Sequence, residues 1–343
     1  MSKQTCAEIA EKYNNFRKIE KSWRADFNLA RNDRDARRRA HAGMKEVREA
    51  FERLPRFCGY EKAQEILGKD FLGAEAVQTT FGFKVDPSEI PLILFSPKEL
   101  RDALAHDEQL ILRVSHDGEG NPMTMERMLQ IMDGRMPEGK KLLFAQKRSG
   151  SDEMQDDCWF NDEVFFRQNS LKMEWVLVGK ELVPETIEKN YVEQTIEIYK
   201  YLQDRKLLTD AEKTEYAGLE ETLKRLCFEM GMDWQTKEIK EEEQVKYDEN
   251  WAEVAKKLAD LPINQKYRRN AVEILFDWLM NFNTGNSRGK LEDFFDWSNT
   301  VYSDGDLASL GNFDSNGGNV GGWDPAGRHA DWGSVLLRRP SRR

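Results

Sequence analysis

From Tyr302 to Gly333 the chain reads YSDGDLASLGNFDSNGGNVGGWDPAGRHADWG, a run crowded with Gly, Asn, Asp and Ser yet carrying Phe313, Trp323 and Trp332. Disordered segments have few aromatics and low hydrophobicity. A stretch that spends large apolar side chains at intervals therefore has to fold, and its turn-forming residues break that fold into short strands and loops. Leu307, Val320, Val335 and Leu337 read as inward strand positions, and Asp304-Gly305 reads as a hairpin turn.

The remaining chain supplies the bulk of a core. With 343 residues and 39% hydrophobic content it can form two or three structural units. No apolar run approaches the length of about 18 residues needed to span a membrane. The opening MSKQTCAEIAEKYNNF lacks the apolar stretch of a secretory signal, so the expected compartment is the cytoplasm. Four cysteines (Cys6, Cys58, Cys158, Cys227) are far apart and read as free thiols. The histidines His41, His106, His116 and His329 show no zinc-site spacing, so neither a metal nor a cofactor is expected.

Net charge is −10, but the first sixty residues hold 15 Lys and Arg against 9 Asp and Glu, a local +6 that leaves −16 for the rest. Such asymmetry can mark a nucleic-acid arm, in which Arg37, Arg38 and Arg39 would carry salt-sensitive binding. Basic and acidic residues alternate through RNDRDARRR, which favours a solvated helix face. Nucleic-acid association is thus a secondary expectation.

Four segments follow from periodicity. Residues 1–56 carry Ile9, Tyr13, Phe16, Ile19, Trp23, Phe27 and Ala30 on one helical face, giving an amphipathic helix or helical hairpin. Residues 57–184 are α+β: IPLILFS, LILRVS, KKLLFAQ and MEWVLVG have the texture of buried strands, HDGEGNP makes a turn, and Ser96-Pro97 with Glu99 forms a capping box. Residues 185–261 are a charged helical insertion with Ile196, Tyr199, Leu202, Leu219, Leu223 and Leu226 inward. Residues 262–343 begin with a helix that turns Val272, Leu275, Phe276, Leu279 and Phe282 inward and ends at NFNTGNSRG; short strands and loops follow.

Catalytic motifs are few. No Walker loop, GxSxG elbow, GxGxxG or HExxH is present, and His329, beside Arg328 and Asp331, has no nucleophile paired with it in the local sequence. Asp304 and Asp306 lack the later carboxylate of a calcium hand. The first expectation is a non-enzymatic binding protein; an enzyme or regulatory domain with a pocket in residues 57–184 stays open.

The order AVEILFDW, FFDWSNT, LASLGNFDSNGG, GGWDPAGRHAD and WGSVLLRR resembles the C-type-lectin-fold domain of formylglycine-generating enzymes and of variable proteins of diversity-generating retroelements. The stretches FLGAEAV, FGF, LVPETIEKNYVEQT, LPINQ and SDG…GNFDSNG…WDP also resemble uncharacterised proteins of small-genome candidate-phylum bacteria. No cysteine follows Cys227, which departs from the enzyme branch, and the calcium signatures of animal lectins are missing. The resemblance therefore implies an α+β chain ending in a C-type-lectin-like scaffold that displays variable loops to a protein or other macromolecular ligand.

In variable proteins of that kind, adenine-directed mutagenesis diversifies exposed Asn-type codons. The corresponding candidates here are Asn312, Ser315, Asn316, Asn319, Gly321, Gly322, Asp324, Gly327, Arg328, His329 and Asp331, framed by Trp297, Phe313, Trp323, Trp332 and Gly333. Glycines at positive φ and Asx turns explain many of the same residues as turn chemistry. A tail of about fifty residues is short for such a domain, so strands from the earlier α+β segment are expected to complete it.

Overall fold

The computed structural model describes residues 58–133, 142–145, 158–285, 291, 293–314 and 317–340. The N-terminal stripe and the basic arm, together with Ser315 and Asn316, lie outside the described residues. Within them the protein is mixed α and β, with helices α1 (Tyr60–Leu67), α2 (Ala74–Phe81), α3 (Pro97–Ala105), α4 (Met125–Asp133), α5 (Val164–Arg167), α6 (Tyr191–Asp204), α7 (Asp210–Glu215), α8 (Leu219–Glu229), α9 (Gln244–Ala259), α10 (Pro262–Tyr267) and α11 (Ala271–Thr284). The strands are β1 (Phe71–Leu72), β2 (Glu108–Arg113), β3 (Leu143–Ala145), β4 (Glu174–Leu182), β5 (Phe295–Val301), β6 (Leu307–Asp314), β7 (Gly317–Trp323), β8 (Trp332–Gly333) and β9 (Val335–Arg338).

The chain divides into two compact units, one of residues 1–66, 92–100 and 340–343, the other of residues 67–91 and 101–339. In the first, Ser96 and Glu99 form the expected capping box: Ser96 N donates to Glu99 Oε2 at 2.8 Å and Glu99 N to Ser96 Oγ at 3.2 Å. The run IPLILFS is not a strand. It makes a single bridge, Ile93 with Cys58, and its side chains alternate between buried Ile93 and Phe95 and exposed Leu94. Pro91 has no N–H to give a ladder, and the run serves as extended chain with one apolar side.

The second unit holds two sheets. One has the order β1-β2-β4-β9, the other β3-β7-β6-β5-β8. LILRVS and MEWVLVG form β2 and β4, antiparallel through Ile111↔Val176 and Leu112↔Trp175. Chain-distant strands complete both sheets: β9 pairs with β4, and β3 pairs in parallel with β7. The C-terminal tail is thereby built into sheets begun more than a hundred residues earlier.

The five-stranded sheet is covered by aromatic packing. Phe295, Trp297, Leu307 and Trp332 join one apolar cluster with Tyr191, Leu202, Leu223, Leu226, Tyr247 and Leu258 of the charged helices. Their polar faces stay outside, as helical periodicity requires. Helix α11 contacts α2, β2, β5 and β6, and Trp278 stacks on Phe313 at 4.3 Å. Asn270 caps α11 by accepting from Glu273 N at 2.9 Å, and Gly285 ends it at φ 68°. Phe282, at the last turn of α11, is 40% exposed, not inward as its spacing suggested, and covers one face by stacking on Trp278.

Two of the buried arginines of this unit are paired with carboxylates. Fully buried Arg113 donates to both carboxylate oxygens of Asp277, at 3.0 and 2.7 Å, and its Nη1 lies 2.7 Å from Glu273. Burial works against its charge, and Asp277, Glu273 and Glu174 outweigh that cost, so its pKa rises. Arg269 bridges Asp277 and Asp296. Its neighbour Arg268 is also buried, but donates only to neutral oxygens of Asn264, Gln194, Trp297, Ser334, Tyr191 and Thr195, with its guanidinium over the Tyr191 ring. Burial lowers its pKa, yet arginine remains charged under all ordinary conditions.

Glu212, in the capping box of α7, is the acid-sensitive counterpart. Its carboxylate takes hydrogen bonds from Thr209 N at 2.7 Å and Tyr267 Oη at 2.7 Å, and pairs with Lys266. Burial raises its pKa, but the bonds from Lys266, Thr209 and Tyr267 prevail and bring it down to about 2 from 4.5. A folded pKa below the unfolded one gives stabilisation that is present above pH 4.5 and lost as pH falls toward 2. Glu212→Gln is expected to lower stability at pH 7 by about 2–3 kcal/mol and to flatten this part of the acid-unfolding profile in chemical-denaturation measurements.

Candidate recognition surface

Between β7 and β8 the chain makes the loop 324–331, and each of its ends is anchored. The Asp324 carboxylate accepts from Ala326 N at 2.9 Å and Gly327 N at 3.2 Å, an Asx turn. Tyr247 Oη of α9 also donates to Asp324. Burial, and then the Asp324 carboxylate, hold the Tyr247 hydroxyl protonated. Pro325 O accepts from Tyr191 N at 3.2 Å, and Asp331 O from Phe295 N at 2.8 Å.

Arg328, His329 and Ala330 of this loop are exposed, and the first two carry polar side chains. Arg328 is exposed; its Nη2 donates to Thr236 O at 2.9 Å, and its Nε lies 3.1 Å from Glu193 Oε2. Glu193 is also the partner of Asn190 in the capping box of α6, so the arginine is tied to a helix start. Asn190 Nδ2 in turn donates to Lys237 O at 2.9 Å. His329 is exposed, with Nδ1 2.7 Å from Asp331 Oδ1 and its ring stacked on Trp332 at 5.2 Å. Trp323, half-buried, lies 5.5 Å from the imidazole.

The other candidate residues fall into two groups. Asn312 is exposed on β6 at φ 52°, where the β6–β7 register shifts between Gly311 and Asp314, and Asn319 is half-buried on β7 opposite Gly311. Gly321 is buried, and a Cβ at Gly322 would run into the Tyr302 ring. Gly322 lets β7 pack closely against Tyr302, and neither glycine presents a side chain. Gly327 is half-buried, with room for a Cβ at ordinary contact, 3.4 Å from Asp324 O.

Of the frame residues, Trp297, Phe313 and Trp332 are fully buried and Trp323 is half-buried, and Trp297 meets Trp332 edge-on at 4.9 Å. A Cβ at Gly333 would come within 2.9 Å of Leu182 Cδ1. Asp304-Gly305 does turn the β5–β6 hairpin, with Gly305 at φ 100°.

Nothing in the sequence signals Tyr247, Glu193, Thr236, Lys237 or Glu238 at this loop; Tyr247 reaches it from 77 residues away and Thr236 from 92, with Glu193 further upstream still. The only local signal was Asn190 with Glu193 three residues on, the pattern of a capped helix start. No helix among the described residues is long and apolar enough to cross a membrane. No known protein family, curated protein or solved structure matches the chain.

Proposed function

We propose that the chain is a non-enzymatic binding protein whose recognition surface is the loop 324–331 together with Asn312 and Asn319, displayed on a C-type-lectin-like scaffold and diversified by adenine-directed retroelement mutagenesis. The observation that carries this reading is the contrast within the loop. Its backbone is held by Tyr191 and Phe295 and, through the Asp324 side chain, by Tyr247, while Arg328 and His329 remain exposed. A fixed backbone lets side chains change without refolding, and a preorganised loop loses less entropy on binding. Aromatic rings beside small polar residues suit recognition of a macromolecular surface.

Packing narrows the positions that can vary. Asn312, Arg328 and His329 are exposed and Asn319, Gly327 and Asp331 half-buried, whereas a Cβ at Gly322 would run into Tyr302. Sibling copies of the gene should differ at adenines in the codons of those six residues and keep Trp297, Phe313, Gly322 and Trp332. A near-repeat of the 3′ end and a reverse transcriptase gene should lie nearby. A single 3′ end without adenine-biased differences would remove diversification from the account. A partner bound equally well by the wild type and by an Arg328→Ala/His329→Ala double variant would remove the surface.

A further inference from the structure

Helix α8 buries Leu219, Leu223, Leu226 and Cys227, and α9 buries Tyr247, Val254, Ala255 and Leu258. Phe228 lies off the first stripe and is 73% exposed; Val245 lies off the second and is 69% exposed, the two highest values among the described large hydrophobic residues. A single exposed apolar side chain is ordinary, whereas a cluster of them marks a contact surface. These two are brought to one place. A Cβ at Gly231, just past the end of α8, would come within 2.9 Å of the Cβ and the backbone O of Glu243, and Lys246 Nζ lies 3.9 Å from the Phe228 ring centroid. The chain from Glu243 to Lys246 is thus held against the end of α8, and Val245 lies within it.

The surroundings of this patch are acidic. From Leu219 to Glu249 the chain carries ten Asp and Glu against five Lys and Arg. Lysines here already have carboxylates: Lys246 lies 3.5 Å from Glu243, and Lys224 3.0 and 2.9 Å from Glu220 and Glu221. The excess is therefore negative, with Glu241, Glu242, Asp248 and Glu249 exposed. Phe228 stands in the last turn of α8, where the helix dipole adds partial negative charge.

We propose that this surface docks a Lys- and Arg-rich segment of a partner protein that also carries apolar side chains. The apolar groups cover Phe228 and Val245, and the cations meet the carboxylates around them. Charge makes the choice: an acidic partner is repelled, and a neutral apolar one would strip water from carboxylates without pairing them. Lys246 shows that the Phe228 ring takes a cation on its face, a contact that an incoming lysine or arginine can repeat. Docking here does not depend on the loop 324–331.

The test is fluorescence anisotropy of a labelled amphipathic peptide of leucine and lysine, about 14 residues long, titrated with the full-length protein. It should bind saturably, with a dissociation constant on the order of 10–500 μM for so small a patch. The same peptide with glutamate for every lysine should not bind, and one with glycine for every leucine should bind about tenfold more weakly or worse. Phe228→Ser/Val245→Ser should weaken binding about tenfold or more with the urea midpoint unchanged, since both side chains are exposed. Lys246→Gln, which uncovers the ring and removes a cation, should tighten it about twofold or more. Val164→Ser, at a 57% exposed side chain elsewhere, should have no effect. Binding that Phe228→Ser/Val245→Ser leaves unchanged would mean that net charge alone attracts the peptide. That result, saturable binding of the glutamate peptide, or no binding of the lysine peptide overturns the proposal.

Discussion

Asp277→Asn should destabilise the protein by about 3–5 kcal/mol, the range seen when one member of a buried ion pair is removed. The carboxylate is fully buried and accepts from Arg113 Nε at 3.0 Å, Arg113 Nη2 at 2.7 Å and Arg269 Nη1 at 3.2 Å. An asparagine of the same shape keeps the packing but removes the charge that two buried guanidiniums share. It also turns an N–H₂ toward one of them. Glu273, Glu174 and Asp296 remain nearby, so the loss falls short of two unpaired charges. The contrast is Glu221→Gln, which severs an exposed pair with Lys224 and should leave the urea midpoint in place. Equal midpoints for Asp277→Asn and the wild type would show that the network contributes little.

Gly311→Ala is the second large effect, expected at about 2–3 kcal/mol or more. Gly311 faces Phe295 across β6 and β5, and a Cβ built there would run into the backbone of Phe294 and Phe295. Backbone cannot swing aside as a side chain can, so β5 and β6 would have to separate. Gly327→Ala should leave the midpoint almost unchanged, since its nearest neighbour would be Asp324 O at 3.4 Å. Thermal or urea unfolding of the two variants separates glycine required by packing from glycine tolerated in a loop. A Gly311→Ala protein as stable as the wild type would mean that the sheet is looser than described.

How far this was legible in the sequence depends on range. Local signals worked: the box at Ser96 and Glu99, the Asp304-Gly305 hairpin and the end of α11 at Gly285 all formed where turn and cap chemistry put them. The aromatics in the tail were enough to show that it folds, since no solvated segment needs Phe313 or Trp332 in its interior. Segments such as IPLILFS misled because an apolar run specifies burial, and only a partner with free N–H and C=O groups makes a strand. Long-range pairing was out of reach. Nothing near Leu143 indicates that β3 joins β7, and nothing near Arg113 indicates that its partner is Asp277, 164 residues on.

Within the candidate surface the same divide holds. Arg328 and His329 were identified from composition and resemblance, and they are exposed. Gly321 and Gly322 belong to the same polar run, yet Gly321 is buried and Gly322 is space for the Tyr302 ring. Composition cannot separate these uses of glycine, because the distinction lies in what packs opposite. The anchoring hydroxyl of Tyr247 was likewise hidden in an acidic helix whose charge suggested only solvation.

The account rests on the glycine- and asparagine-rich tail being a stable sheet that holds the loop 324–331 in place. Amide hydrogen exchange of the full chain at neutral pH tests this most directly. Backbone amides of 307–313, 318–323 and 335–338 that donate within the sheets should be protected by about a thousandfold or more over an unstructured peptide, with the loop amides exchanging faster. Exchange of the whole 307–338 stretch at unstructured-peptide rates would contradict it.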